Sequence, residues 1–255
     1  MKLKREHALT LARLGVIGGA VLLVEALCRS GVINPLTLLP PSRMAADLFG
    51  LLASGQIAHD MAFTAGTIGA ALVLSIALGF GLGVLVHALP RVRRALDPLL
   101  ASYYSVPFFI FYPLLVAIFG LNAFPLVVLG MAFAAPAMMM STMAGLDRIP
   151  RVLLRVARAH RLSRVETVRQ IVLPSAAPYL FTGMRLALAY TFIGVIAGEF
   201  IMASSGIGHA IAYAYEGFDN NTMYALMLLV LVVVTVINMS LHAYETRLAK
   251  RRARA

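Results

Sequence analysis

Residues 148–174 read RIPRVLLRVARAHRLSRVETVRQIVLP, a strongly basic stretch set between two apolar runs of membrane length. It carries Arg148, Arg151, Arg155, Arg158, Arg161, Arg164 and Arg169, with His160 among them. A loop this basic belongs on the cytoplasmic side of a membrane. Arg148, Arg151, Arg155 and Arg158 recur at spacings of three and four, which puts them on one helical face, with Leu153, Val156, Ala157 and Ala159 largely on the other. Ser163-Arg164-Val165-Glu166 then has the capping-box pattern, so a second short helix is expected to start at Arg164 and bury Val165, Val168, Ile171 and Val172. Pro174 is expected to stop that helix, and Pro178 suits the first turn of the next one. The spacing therefore predicts an ordered helix–turn–helix beneath the bilayer.

Outward from this loop, the composition is that of an integral membrane protein. Of 255 residues, 60% are hydrophobic and 13% charged, where a soluble domain would carry about 25% charged residues. The mean hydropathy is +0.86. The formal charge of +11 does not point to nucleic acid, because the basic residues sit at the ends and in two loops that flank apolar runs. Lone Cys28 can form no intramolecular disulfide and gives no metal motif. Lys2, Lys4 and Arg5 ahead of the apolar run 14–27 resemble a signal peptide, but Cys28-Arg29-Ser30 follows in place of a small-x-small cleavage site. An uncleaved first span is expected, with Glu25 and Arg29 near its outer end.

A spanning helix takes about 20 mostly apolar residues, and segments near 12–33, 62–89, 98–119, 123–145, 179–203 and 223–245 qualify. A short amphipathic helix is expected near Met44–Leu52, after Pro40-Pro41. The connecting loops alternate between basic and non-basic. Arg91, Arg93 and Arg94 lie in one loop and the arginine stretch in another, whereas no Lys or Arg falls between Arg185 and Arg247. Both termini are basic, so the fold class is all-α: a polytopic protein of six transmembrane helices, both ends cytoplasmic, with a cytoplasmic helix–turn–helix. Tyr103, Tyr104, Tyr179 and Tyr244 near span ends read as membrane anchors in a chain without tryptophan. Gly79, Gly81 and Gly83 permit close helix packing, and Met138-Met139-Met140 reads as adaptable packing.

The loop resembles the EAA loop of ABC importer permeases, whose pattern is Glu-Ala-Ala, three residues, Gly, nine residues, Ile-x-Leu-Pro. Aligned on Ile171-Val172-Leu173-Pro174, it puts Arg155, Val156 and Ala157 at Glu-Ala-Ala and Arg161 at the Gly. Asp97-Pro98, Val106-Pro107, Tyr112-Pro113, Phe119-Gly120, Ala144-Gly145-Leu146, Thr182-Gly183-Met184-Arg185, Gly198-Glu199 and Gly206-Ile207-Gly208 extend the likeness to the branch that imports sulfonates, taurine and nitrate. It covers roughly residues 35–245 of one permease domain, 1–255, with the coupling loop at 146–178. Two departures stand out: Arg155 replaces the Glu, and Arg161 replaces a Gly whose turn favours positive φ. A changed turn, or a changed fit to the ATPase, is the expected consequence.

The resemblance implies a non-catalytic subunit. ATP and Mg would be bound by two partner ATPase subunits, since none of Lys2, Lys4 and Lys250 lies in a phosphate-binding loop. Substrate would arrive on a periplasmic or extracellular binding protein, and a second permease copy, identical or related, would complete the path in a bacterial inner membrane. Arg155, Val156, Ala157, Arg158, Ala159, His160, Arg161, Leu162 and Ser163 are the expected docking and coupling residues. Glu166, Ile171, Leu173 and Pro174 would shape the loop. Glu199, an acid deep in a span, joins Pro107 and Phe108 as a pathway or gating candidate, against a structural hydrogen bond. His87 and His209 lie near span ends. Membrane lipid is the rival partner for the arginines. A secondary transporter without an ATPase would show internal repeats and several midplane ionisable groups, and a membrane enzyme would show a catalytic constellation; the sequence shows neither.

Overall fold

Every regular element among the described residues is helical. The computed structural model describes the backbone of residues 2–34 and 37–252; side chains are described from residue 15 onward, except at 35, 36, 104, 242 and 244–252. The tyrosines at 104 and 244 and the basic residues of both termini, invoked above for anchoring and orientation, have side chains outside that set. The chain divides into two compact units, Met1–Ala58 with Ala210–Val233, and His59–His209 with Val234–Ala255.

In the first unit, α1 (Lys2–Arg29) is followed by α2 (Pro41–Ser54), an amphipathic helix as the sequence predicts. Glu25 joins the two, accepting from the Ser42 N–H at 3.0 Å, the Ser42 hydroxyl at 2.6 Å and Arg29 Nε at 2.5 Å. Cys28 is buried. An unforeseen helix, α10 (Ile207–Glu216), precedes α11 (Asn220–Arg252). Its end is a Schellman turn: Asp219 N–H donates to the Ala214 carbonyl at 2.8 Å and Phe218 N–H to that of Tyr215 at 3.1 Å. Phe218 fills the left-handed position, φ 56°, where glycine is usual. Asp219 Oδ1 then accepts from Thr222 N–H at 3.1 Å at the start of α11.

The second unit is built on α3 (Ala58–Ala88), α6 (Ala123–Asp147) and α9 (Leu173–Met202). Four stretches among the described residues are long and apolar enough to cross a membrane: Ala58–Ala88, Ala123–Asp147, Arg164–Glu216 and Asn220–Leu241. Small residues set their spacing. A Cβ on Gly79 would fall 2.6 Å from Met138 Cβ, and one on Gly83 2.7 Å from Thr142 Cβ, so α3 runs parallel to α6 in near backbone contact. Gly81, on the other face, has open space around it. Gly198 against Leu126, Gly194 against Gly130, and Gly183 against Ser141 give α6 and α9 an antiparallel contact along most of their length. Buried Ser75, Thr142 and Thr191 satisfy their hydroxyls on the carbonyl four residues back, at 2.6, 2.8 and 2.8 Å. Met138 and Met139 are buried, while Met140 is exposed.

The segment expected to span at 98–119 is not one helix. An amphipathic α4 (Pro90–Ser102) runs into short 3₁₀ turns at Tyr103–Ser105 and Phe108–Phe111, then α5 (Tyr112–Phe119). Pro107 explains the break. It forces Val106 out of the helical region, to φ −91°, ψ 120°, and Pro113 occupies the first turn of α5, where a missing N–H costs nothing. Tyr103 is held inward, donating to the Ala132 carbonyl at 2.7 Å and stacking on Phe108 with ring centres 4.3 Å apart. It is therefore a packing residue and not simply an anchor.

Pro174 does not stop the loop helix. The chain passes from α8 (Arg164–Thr167) through a π-helical turn, Val168–Val172, directly into α9. The wider turn makes room for the proline ring and tolerates its missing donor.

Candidate functional site

The arginine loop folds as helix, left-handed turn and capped helix. Pro150 precedes α7 (Arg151–Ala159) at its N-cap, so Arg148 is separated from the arginine face it was expected to join. It caps α6 instead, with its guanidinium 5.5 Å from the centre of the Tyr179 ring. Within α7, Arg151, Arg155 and Arg158 do share an exposed face, beside an exposed apolar strip of Val152 and Val156. Leu154 and Ala157 point inward, and Ala157 is only 3% exposed. It faces the body of the loop and offers no surface to a partner.

The turn keeps the geometry that a glycine would have. Arg161 sits at φ 53°. Leu162 N–H donates to the Ala157 carbonyl at 2.9 Å and Arg161 N–H to that of Arg158 at 3.1 Å, the two bonds of a Schellman closure. The expectation of a changed turn is thus overturned: the paired hydrogen bonds hold the left-handed conformation against a side chain that disfavours it by roughly 1–2 kcal/mol. Ser163 and Glu166 complete the reciprocal capping box, Glu166 N–H to Ser163 Oγ at 3.2 Å and Ser163 N–H to Glu166 Oε2 at 2.8 Å. Arg155, Arg158, Ala159, His160, Arg161 and Ser163 are exposed and Leu162 is half-buried. Ile171 is half-buried, while Leu173 and Pro174 are exposed.

Sequence reasoning missed the root of the loop. Asp147, the last residue of α6, accepts two bonds from Arg93 of α4, Nη1–Oδ1 at 2.8 Å and Nη2–Oδ2 at 2.6 Å. His87 Nδ1 lies 3.4 Å from Asp147 Oδ1. Opposite, Gly145 lies close enough to α9 that a Cβ would fall 3.0 Å from Tyr179 Cβ. The loop therefore leaves α6 clamped to α4 on one side and to α9 on the other. Nothing local in the sequence pairs positions 54 apart, so no spacing signal existed for the Arg93–Asp147 fork.

Glu199 proves to be a staple. It is fully buried. Its carboxylate accepts from Thr64 Oγ1 at 2.9 Å and from Gly208 N–H at 3.0 Å; Thr64 Oγ1 in turn accepts from Ile207 N–H at 2.8 Å, and Asp60 Oδ1 from Gly206 N–H at 2.7 Å. Side chains at the start of α3 and the end of α9 thus take up the free N–H groups at the entrance to α10. Gly206, at φ 110°, fits only without a side chain: a Cβ would lie 2.5 and 2.6 Å from the two Glu199 oxygens. Phe108 is half-buried against the Tyr112, Leu126 and Leu129 cluster, and Pro107 is exposed at the break before it.

Comparison with known proteins gives this arrangement a context. The chain is 27% identical over 223 residues to the taurine transport system permease protein of Escherichia coli (strain K12), covering 85% of this chain and 81% of that one. It is 25% identical over 222 residues to a putative aliphatic sulfonates transport permease protein of Bacillus subtilis (strain 168), covering 87% and 80%. Against the nitrate import permease protein of Leptolyngbya laminosa it is 27% identical over 173 residues, covering 68% and 61%. Its fold matches a chain of the MetNI methionine ABC transporter, solved in inward-facing conformations, with a TM-score of 0.61, 22% identity, and 72% and 92% of the two chains covered. Residues 72–254 match the family described as binding-protein-dependent transport system inner membrane component. That match takes in the broken segment, the arginine loop and Glu199 itself, and the chain belongs to this family of ABC importer permeases.

Proposed function

We propose that the chain forms, with a second permease copy, the membrane path of an importer for a small organic or inorganic anion such as a sulfonate, taurine or nitrate. ATP and Mg are held by two separate ATPase subunits, a binding protein delivers the cargo, and both termini lie in the cytoplasm. The supporting observation is the α7 surface. Arg151, Arg155 and Arg158 flank Val152 and Val156 on a short helix closed at one end by hydrogen bonds and rooted at the other by Arg93–Asp147. A helix so fixed moves with α4, α6 and α9 as a rigid body, as mechanical coupling between two discrete states requires. The names of the relatives support the cargo class.

The same function keeps Glu199, Pro107 and Phe108 as pathway or gating residues. For Glu199 the support is its position where α3, α9 and the start of α10 meet, held by side chains that a closing motion could pull apart.

The test is reconstitution of the permease in lipid nanodiscs with a candidate ATPase and binding protein. ATP hydrolysis stimulated by the binding protein loaded with taurine, nitrate or an alkanesulfonate is the expected result. Val156→Asp or Arg158→Glu should abolish the stimulation while leaving the permease folded. Full coupled transport by both variants overturns the assignment of α7 as the docking surface. A permease that transports with no ATPase present overturns the function itself.

A further inference from the structure

A second feature near the arginine loop is unused by the transport assignment. An apolar cleft of about 560 Å³ opens between α3 and the first half of α9, a size that suits a ligand and not only water. Ile76 and Phe80 of α3, Met138 of α6, and Leu180 and Met184 of α9 line it with carbon. Its one charged lining residue is Arg169. That arginine lies in the π-helical turn Val168–Val172, is exposed, and makes no ion pair among the described residues. π turns inside helices occur frequently at functional sites.

The chemistry of this cleft is that of an amphiphile's complement: a hydrocarbon trough with one cation at its end. A small hydrophilic anion would satisfy Arg169 but leave the trough wet, and a neutral chain would fill the trough but leave the guanidinium without an anion. The arginine end adjoins the basic loop, the side of the membrane where anionic headgroups collect juxtamembrane cations and where basic pockets between helices take lipid headgroups. We propose that this cleft is a binding site for one acyl chain of an anionic phospholipid, whose phosphate is held by Arg169. The site stands independently of the cargo and of the ATPase partner, because every residue in it belongs to the unit formed around α3, α6 and α9.

The experiment is native mass spectrometry and detergent-exchange retention on the purified full-length protein, with phosphatidylglycerol and phosphatidylcholine of identical acyl chains. Wild type should retain phosphatidylglycerol preferentially. Arg169→Ala should weaken that retention about five-fold, the equivalent of about 1 kcal/mol for one basic contact, and Arg169→Lys should keep most of it. Ala177→Phe, which narrows the trough without touching the charge, should reduce it as well. An equal loss in the control Arg151→Ala would reduce the effect to general charge attraction and overturn the site. So would equal retention of phosphatidylcholine, or unchanged phosphatidylglycerol retention in both Arg169→Ala and Ala177→Phe. If Ala77→Arg shifts the oligomeric state and leaves lipid retention unchanged, the cleft is an interface with a second copy and the lipid site is wrong.

Discussion

Arg93 and Asp147 meet as a fork, two parallel bonds of 2.8 and 2.6 Å that fix the end of α6 to α4 immediately before the arginine loop. Both side chains are about one-third exposed, 30% and 38%, so the pair is screened and its worth to stability is small, about 0.5–1 kcal/mol. Its geometric role is larger, because bidentate pairing fixes orientation as well as distance. Asp147→Ala is expected to lower the unfolding midpoint only slightly but to raise hydrogen exchange in the α7 amides. The swap Arg93→Asp with Asp147→Arg should restore protection. Unchanged α7 exchange in Asp147→Ala would show that the fork does not position the loop.

Removing the Glu199 carboxylate leaves the Gly208 N–H and the Thr64 hydroxyl buried with fewer partners. Glu199→Ala should therefore destabilise by about 2 kcal/mol or more, within the range for orphaned buried groups. Glu199→Gln, which keeps an acceptor, should cost less, and Gly206→Ala should cost at least as much as Glu199→Ala through collision and backbone strain. Thermal unfolding in detergent ranks the three. Wild-type coupled uptake by Glu199→Ala would refute the proposed gating role while leaving the structural one intact.

Arg161 carries strain that a glycine would relieve. Arg161→Gly is expected to stabilise the protein by about 0.5–1 kcal/mol, since the left-handed penalty disappears and part of the gain is lost to added unfolded-state freedom. Binding-protein-stimulated ATP hydrolysis should survive the change. Lost stimulation would show that the Arg161 side chain, and not the turn, contacts the ATPase.

Three glycines spaced two apart in α3 should respond differently to the same substitution. Gly83→Leu drives a side chain into Thr142 and the Met139 carbonyl and should cost about 1–3 kcal/mol as an overpacked site. Gly79→Leu should behave alike, against Met138. Gly81→Leu meets open space and should fall within about 0.5 kcal/mol of wild type. Similar losses at all three would contradict the parallel α3–α6 contact.

The turn into α11 gives a pH signature. Bonds from the Thr222 side chain and backbone hold the Asp219 carboxyl below its usual range. A lowered folded pKa means that its contribution is fully present above the unfolded value, near 3.9, and is lost as pH falls through the folded value. The unfolding midpoints of wild type and Asp219→Asn should differ at pH 6 and converge below about pH 4. A constant gap would show that Asp219 does not cap α11.

Local patterns carried much of the molecule. The capping box needs only Ser163 and Glu166 three residues apart, and the α7 arginine face only the helical period, so the box is present as the spacing predicts and the face is present without Arg148. Pro107 signals a break just as locally, yet hydropathy averaged over 98–119 hid it, because the flanking residues are apolar on both sides. Pro174 shows the opposite error. A proline normally ends a helix, but a π turn absorbs it here, and that choice depends on backbone geometry that no residue spacing encodes.

The sequence alone therefore determined the membrane class, the basic loop with its short α7 and the capped start of its second helix, and the family frame, since charge distribution, period and motif spacing are properties of neighbours along the chain. Only the tertiary structure decided that Arg161 keeps a glycine's turn, that Ala157 faces inward, that Arg93 grips Asp147, and that Glu199 binds Thr64 across 135 residues. Those outcomes depend on which helix faces meet in three dimensions. A buried carboxylate must find its donors wherever packing places them, and their distance along the chain is then irrelevant.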